Sequence, residues 1–273
     1  MEIEMLNAEK KLVLKPVLLP AVSELISEMT VTSDSVVATI TLKLNSGTRL
    51  LRVDWGDDKS TRIRLDRITS IYNSGLFTIL GDGWFELRHV YEPPSDGSSF
   101  NTPILVKASS NTDVDFKFSL LNIVPRYRVH FADVYFRLID SGDFGEPHSE
   151  WSISMNVRKY NSATYNTETL GSTASWRFDA IPESVLPSDW YRLQNSGRST
   201  EMVKGDYLFA AFNFTETDLI WDDVFNTGFT LDIQKPTDGI EMNDISNTFT
   251  IRFYQQVKLI QNIPNFNPPI VHS

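Results

Sequence analysis

The chain of 273 residues contains no cysteine. Disulfides, thiolate zinc sites, iron–sulfur clusters and thiol nucleophiles are thereby excluded together. No apolar run approaches the roughly 18–20 residues that cross a bilayer as a helix. Clusters of Lys and Arg are also missing. With 25 basic against 35 acidic residues the net charge is −10, which weighs against phosphate-backbone binding. The four histidines, His89, His130, His148 and His272, never fall in an H-E-x-x-H spacing. There is no G-x-S-x-G elbow, no Gly-Lys-Ser/Thr phosphate loop, and no G-x-G-x-x-G after a strand. Nothing marks a carboxylate pair of the kind glycosidases use. These absences point to a protein that is not an enzyme. The start of the chain does not read as a secretory signal, because Lys10 and Lys11 come late and Pro16 and Pro20 break the apolar stretch. The expected localisation is synthesis in the cytoplasm, with an extracellular surface as the alternative.

What is abundant is β-strand signal. Aromatic residues make up 12% of the chain, which suits pleated sheets. Val36, Ala38, Ile40, Leu42 and Leu44 alternate with polar neighbours, a period of two that turns one apolar face inward. The same alternation recurs at Leu51, Val53 and Trp55, at Phe116, Phe118 and Leu120, and at Trp151, Ile153, Met155 and Val157. It returns at Leu208, Ala210, Phe212 and Phe214, and from Phe249 through Leu259. Gly, Asn, Asp and Pro clusters separate these runs. Helical spacing occurs once, where Val22, Leu25, Ile26 and Met29 predict a short helix over 20–29. The polar stretch from Asn156 to Trp176 reads as a long loop.

Length and pattern together give an all-β chain of two tandem antiparallel β-sandwiches. Residues 1–30 form an extended N-terminal arm, 31–125 the first sandwich, 126–260 a second and larger one, and 261–273 an extended C-terminal tail. The boundary falls near Pro125, and Pro264, Pro268 and Pro269 mark the tail.

Val53-Asp54-Trp55-Gly56-Asp57-Asp58 is followed by His89-Val90-Tyr91 and then by the strand Pro103 to Ala108. In that order these segments resemble the PKD (polycystic kidney disease) family of immunoglobulin-like modules over about residues 30–125. The family's turn carries a second glycine where this chain has Asp58, and the segment Arg67 to Trp84 is longer than the family's. The resemblance implies a non-catalytic spacer or contact module. Trp55 is expected to fill the sandwich centre. Gly56 and its aspartates are expected to make a tight turn, with cation binding by Asp54, Asp57 and Asp58 as the alternative. His89 reads as a half-buried strand histidine, with a ligand or base role as the alternative.

The second half contains two acidic segments at strand ends. One holds Asp140, Asp143 and Glu146, the other Asp218, Asp222 and Asp223. Should the strand order bring them to one end, their carboxylates would supply the six to eight oxygens that Ca²⁺ takes. The arrangement is loosely similar to the paired loops of C2-type sandwiches, and a jelly-roll-like sandwich fits the same strands. A solvated acidic surface is the plainer reading. Trp176, Trp190, Tyr191 and Trp221 fall in or near loops, where they either cover the sandwich ends or present planes to a sugar or protein.

The functional expectation is a structural protein, a subunit of a larger particle held by contacts with other protein subunits. Phage-like and contractile-injection assemblies are the settings that fit. Apolar alternation from Ile3 to Leu19 suits an arm that adds a strand to a neighbour's sheet. The alternatives are a carbohydrate-binding accessory module and a calcium-dependent surface adhesin. No cofactor beyond Ca²⁺ is suggested. Neither nucleic acid nor membrane insertion is expected.

Overall fold

The computed structural model describes residues 24–67, 76–139, 148–182, 189–216, 223–233, 240–243 and 249–262. Over these residues the protein is all-β, with only a short 3₁₀ turn at Leu65–Arg67. Among the described residues no helix is long and apolar enough to cross a membrane.

The first half packs two antiparallel sheets. One is formed by β1 (Ile26–Asp34), β2 (Val37–Leu44), β6 (Trp84–Val90) and β5 (Phe77–Gly81), in that order. The other is formed by β4 (Ser60–Arg64), β3 (Leu50–Asp54), β7 (Phe100–Ser109) and β8 (Val114–Ile123). Alternate residues of β2, β3 and β7 point inward, so Ile40, Leu42, Leu51, Val53, Ile104 and Val106 are fully buried around Trp55.

The second half has its own core, a separate cluster running from Val129 to Phe253. Its large sheet orders β12 (Asn166–Thr169), β11 (His148–Asn161), β16 (Tyr207–Glu216) and β17 (Asp223–Leu231), with β13 (Ala174–Pro182) also on β11. Two smaller sheets, of four and three strands, complete this half. β9 (Tyr127–Phe131) and β10 (Val134–Leu138) run on from each other, as do β19 (Phe249–Phe253) and β20 (Gln255–Leu259). β14 (Tyr191–Leu193) and β15 (Arg198–Met202) flank β10 and β9, and β18 (Ile240–Asn243) flanks β19. At the β9–β10 junction, Val134 N–H donates to Ser196 Oγ (2.7 Å) and Gly197 N–H to Asp133 Oδ1 (3.1 Å). The halves meet where Arg126 N–H donates to Ser35 Oγ (2.9 Å), where the Arg126 guanidinium pairs with Asp34 and Glu201, and where Leu259 packs on the first core.

Three expectations need correction. Residues 26–29 are strand, not helix: β1 pairs with β2 from Ile26 opposite Leu44 to Asp34 opposite Val37. The β-branched run Thr30, Val31, Thr32 and the ladder to β2 override a weak helical spacing. The same strand places residues 26–30 in the sheet, so the arm ends earlier than 30; residues 1–23 lie outside the described part. The stretch from Asn156 to Trp176 is not a long loop. β11 continues to Asn161, a tight turn follows, and β12 returns against it. Asn161 anchors this turn, its Oδ1 accepting from Ala163 and Thr164 N–H (both 3.0 Å).

Candidate interaction surface

The inward alternation expected of Phe116, Phe118 and Leu120 is also overturned. They are 54%, 63% and 63% exposed on the outer face of β8. The inner positions are Asp115, Lys117, Ser119, Leu121 and Ile123, and only the last two are buried core. The reason lies at the start of β1. The backbone N–H groups of Leu25 and Ile26 both donate to Asp115 Oδ2 (3.0 and 2.9 Å). Lys117 reaches Glu24 at 3.1 Å. Polar satisfaction of β1 and burial of Ile123 select one parity, and strand geometry forces the aromatic rings out.

The same face carries positive charge. In register across four strands, Arg62 stands opposite Arg52, Arg52 opposite Lys107, and Lys107 opposite Phe116. Lys107 Nζ lies 5.3 Å from the Phe116 ring centroid. Among the described residues none of these three cations forms an ion pair. Like charges directly opposite each other weaken a sheet. The isolated chain therefore gains nothing from this row, or from three large apolar side chains in water on an edge strand. Leu105, opposite Phe118, extends the apolar stripe onto β7.

The Trp-Gly-Asp turn and the His-x-Tyr pair form one structural cluster. Trp55 is buried, its Nε1–H donates to Thr61 Oγ1 (2.9 Å), and its ring stacks on His89 (4.9 Å, 15°). His89 Nε2 is 2.8 Å from Asp57 Oδ2. The Tyr91 and Thr102 hydroxyls both donate to Trp55 C=O (2.8 Å each). Burial pushes the Tyr91 phenol up to about 12. A tyrosine whose folded value lies above its unfolded value of about 10 contributes fully below pH 10, and the contribution is lost as pH climbs toward 12. Tyr91→Phe is accordingly expected to lose about 1 kcal/mol at neutral pH and to show a shallower loss of stability between pH 10 and 12 than the parent, measured by urea unfolding.

The aromatic residues expected near loops are packed. Trp176 belongs to β13, and its Nε1–H donates to Gln194 C=O (2.9 Å). Trp190 lies beneath Arg252 and Arg137, whose guanidinium carbons are 4.0 and 4.9 Å from its ring centroid. Tyr191 contacts Phe136 and Phe178 (5.5 and 5.8 Å). Each is fixed to the second core or its rim, not aligned on an open face. Trp221, Asp140, Asp143, Glu146, Asp218 and Asp222 lie outside the described residues, and Asp223 begins β17. Among the described residues, Trp151 near the start of β11 stands opposite Glu216, and Glu216 opposite Asp223, an arrangement compatible with the expected calcium site. A calcium titration checks that expectation: a higher thermal midpoint in millimolar Ca²⁺ supports it, and an unchanged midpoint removes it.

No protein-family model matches this sequence, and comparison with curated proteins finds no match. The functional reading therefore rests on geometry. Its central residues, Phe116, Phe118 and Leu120 with Arg52, Arg62 and Lys107, were not legible as a site. One signal was present: Leu121 and Ile123 claim the opposite parity from the rings before them.

Proposed function

We propose that this protein is a non-catalytic structural subunit that assembles with copies of itself, the outer face of the β4-β3-β7-β8 sheet being its docking surface. The observation that carries the reading is the apolar stripe of β8 beside a row of three cations that have no carboxylate partner among the described residues. Such a face suits an acidic protein surface with apolar side chains in it. The second half of the chain has the matching charge: residues 126–260 hold 19 acidic and 12 basic residues. Contact between unlike surfaces of two copies is head-to-tail, and it closes into rings or continues as filaments. That matches a component of a larger particle. The PKD-like order of Trp55-Gly56-Asp57, His89-Val90-Tyr91 and β7 supports reading the first half as a contact module.

The test is light-scattering mass of the full chain across concentration, at low and high salt. A defined oligomer or a growing filament, weakened by salt, is the expected result, because the cation row acts through screened charge. A monomer at every concentration and salt overturns the reading.

A further inference from the structure

The outer face of the large sheet in the second half holds a depression of about 430 Å³ lined by Arg158, Tyr160, Thr167, Tyr207, Phe209 and Thr230. That size falls within the usual range of small-ligand sites. Its floor is two rows of the sheet. Thr169, Arg158, Phe209 and Thr230 stand opposite one another in one row, and Thr167, Tyr160 and Tyr207 in the next. The Tyr160 and Tyr207 rings stack at 4.7 Å with 21° between planes. Tyr207 is 38% and Phe209 42% exposed on β16, whose remaining outer positions are the small or polar Ala211, Asn213 and Thr215. At Gly228 any Cβ would stand 3.1 Å from the Phe209 ring, so the missing side chain leaves that ring room to lie over the sheet. Tyr165, at the tip of the hairpin that carries Tyr160 and Thr167, is 79% exposed and held at φ +59°. A bulky residue in the left-handed region is uncommon.

Charge narrows the ligand. None of the six residues that line the depression is a carboxylate. The Arg158 Nε–H donates to Asn156 Oδ1 (3.3 Å), and the remaining guanidinium N–H groups have no partner among the described residues. In a chain of net charge −10, this is a cation presented between aromatic planes and hydroxyl groups. From this geometry we infer that the depression binds a carboxylate-bearing pyranose. The ring's C–H face lies on the Tyr and Phe planes, the threonine and tyrosine hydroxyls take its hydroxyl groups, and Arg158 takes its carboxylate in a forked pair.

The test is isothermal titration of the full chain with hexagalacturonate and with 3′-sialyllactose, maltohexaose serving as the neutral control. One of the two acids is expected to bind, with saturation-transfer NMR placing its ring protons against aromatic side chains. Which acid binds separates a uronate chain from a sialylated glycan. Arg158→Gln and Tyr207→Ser are each expected to weaken binding about tenfold or more. Arg158 is exposed, so its variant is expected to fold normally and to isolate the carboxylate contact. No binding of either acid at about 10 mM, equal binding of maltohexaose, or undiminished binding by both variants overturns the inference.

Discussion

Phe118→Asp is expected to leave the chain monomeric at concentrations where the parent assembles, with a thermal midpoint within about 2 °C of the parent's. The two halves of that expectation have different causes. Phe118 is mostly exposed in the single chain, so folding buries little of its ring and losing it costs the fold little. Docking is different. Phe118 lies between Phe116 and Leu120 along β8 and opposite Leu105 on β7, the centre of the apolar stripe. Central, desolvated aromatic residues dominate interfaces, and truncating one commonly costs about 2 kcal/mol or more, roughly a thirtyfold weaker contact. An aspartate there also places an unpaired charge in the buried contact. Arg52→Glu probes the polar flank of the same surface. It reverses the middle of the cation row, and its expected effect is slower association with a reduced dependence on salt, the fold again remaining intact.

Gly56→Ala is expected to destabilise the first sandwich by about 3 kcal/mol or more, a large share of the 5–15 kcal/mol that holds a typical domain. Gly56 lies at φ +78°, where an alanine side chain is strained. Space is the larger obstacle. A Cβ built there would stand 2.3 Å from Pro103 C=O and 2.7 Å from Thr102 Oγ1. Pro103 lies within β7 opposite Leu120, so its backbone cannot retreat without disturbing the pairing of β7 with β8. Movement of Thr102 would also release its hydrogen bond to Trp55 C=O. Urea unfolding should show a lower midpoint in the transition that reports Trp55. By contrast Gly47→Ala, at a similar positive φ but with open space around it, is expected to cost only about 1 kcal/mol.

Period-two alternation was enough to place most strands, because the inward positions of β2, β3, β7, β11 and β16 are nearly all aliphatic or aromatic. Trp55, Gly56 and Tyr91 were legible for the same reason: a buried indole, a tight turn and a hydroxyl that closes onto it use residue types with few other purposes. β8 could not be read this way. Both of its parities are partly apolar, and the choice depends on Asp115 receiving two N–H groups from β1, about ninety residues away in sequence. The helix expected over 20–29 failed by the same route, since the ladder between β1 and β2 is a long-range fact. The apparent loop after Asn156 is polar because β11 and β12 show polar outer faces and an exposed hairpin, not because they lack regular structure. The aromatic depression on the large sheet was hidden in the outward parity of strands whose inward parity drew attention. Tyr207 and Phe209 alternate with Leu208 and Ala210.

The absence of cysteine allows the docking surface to be examined with a single label. Asn122 lies on the outer face of β8, two residues beyond Leu120, and is exposed. In Asn122→Cys the rate of thiol modification should be that of a free surface thiol in dilute monomer, and should fall at least tenfold under assembling conditions in step with the rise in light-scattering mass. A thiol that stays equally reactive while the mass rises would show that the chain assembles through some other surface.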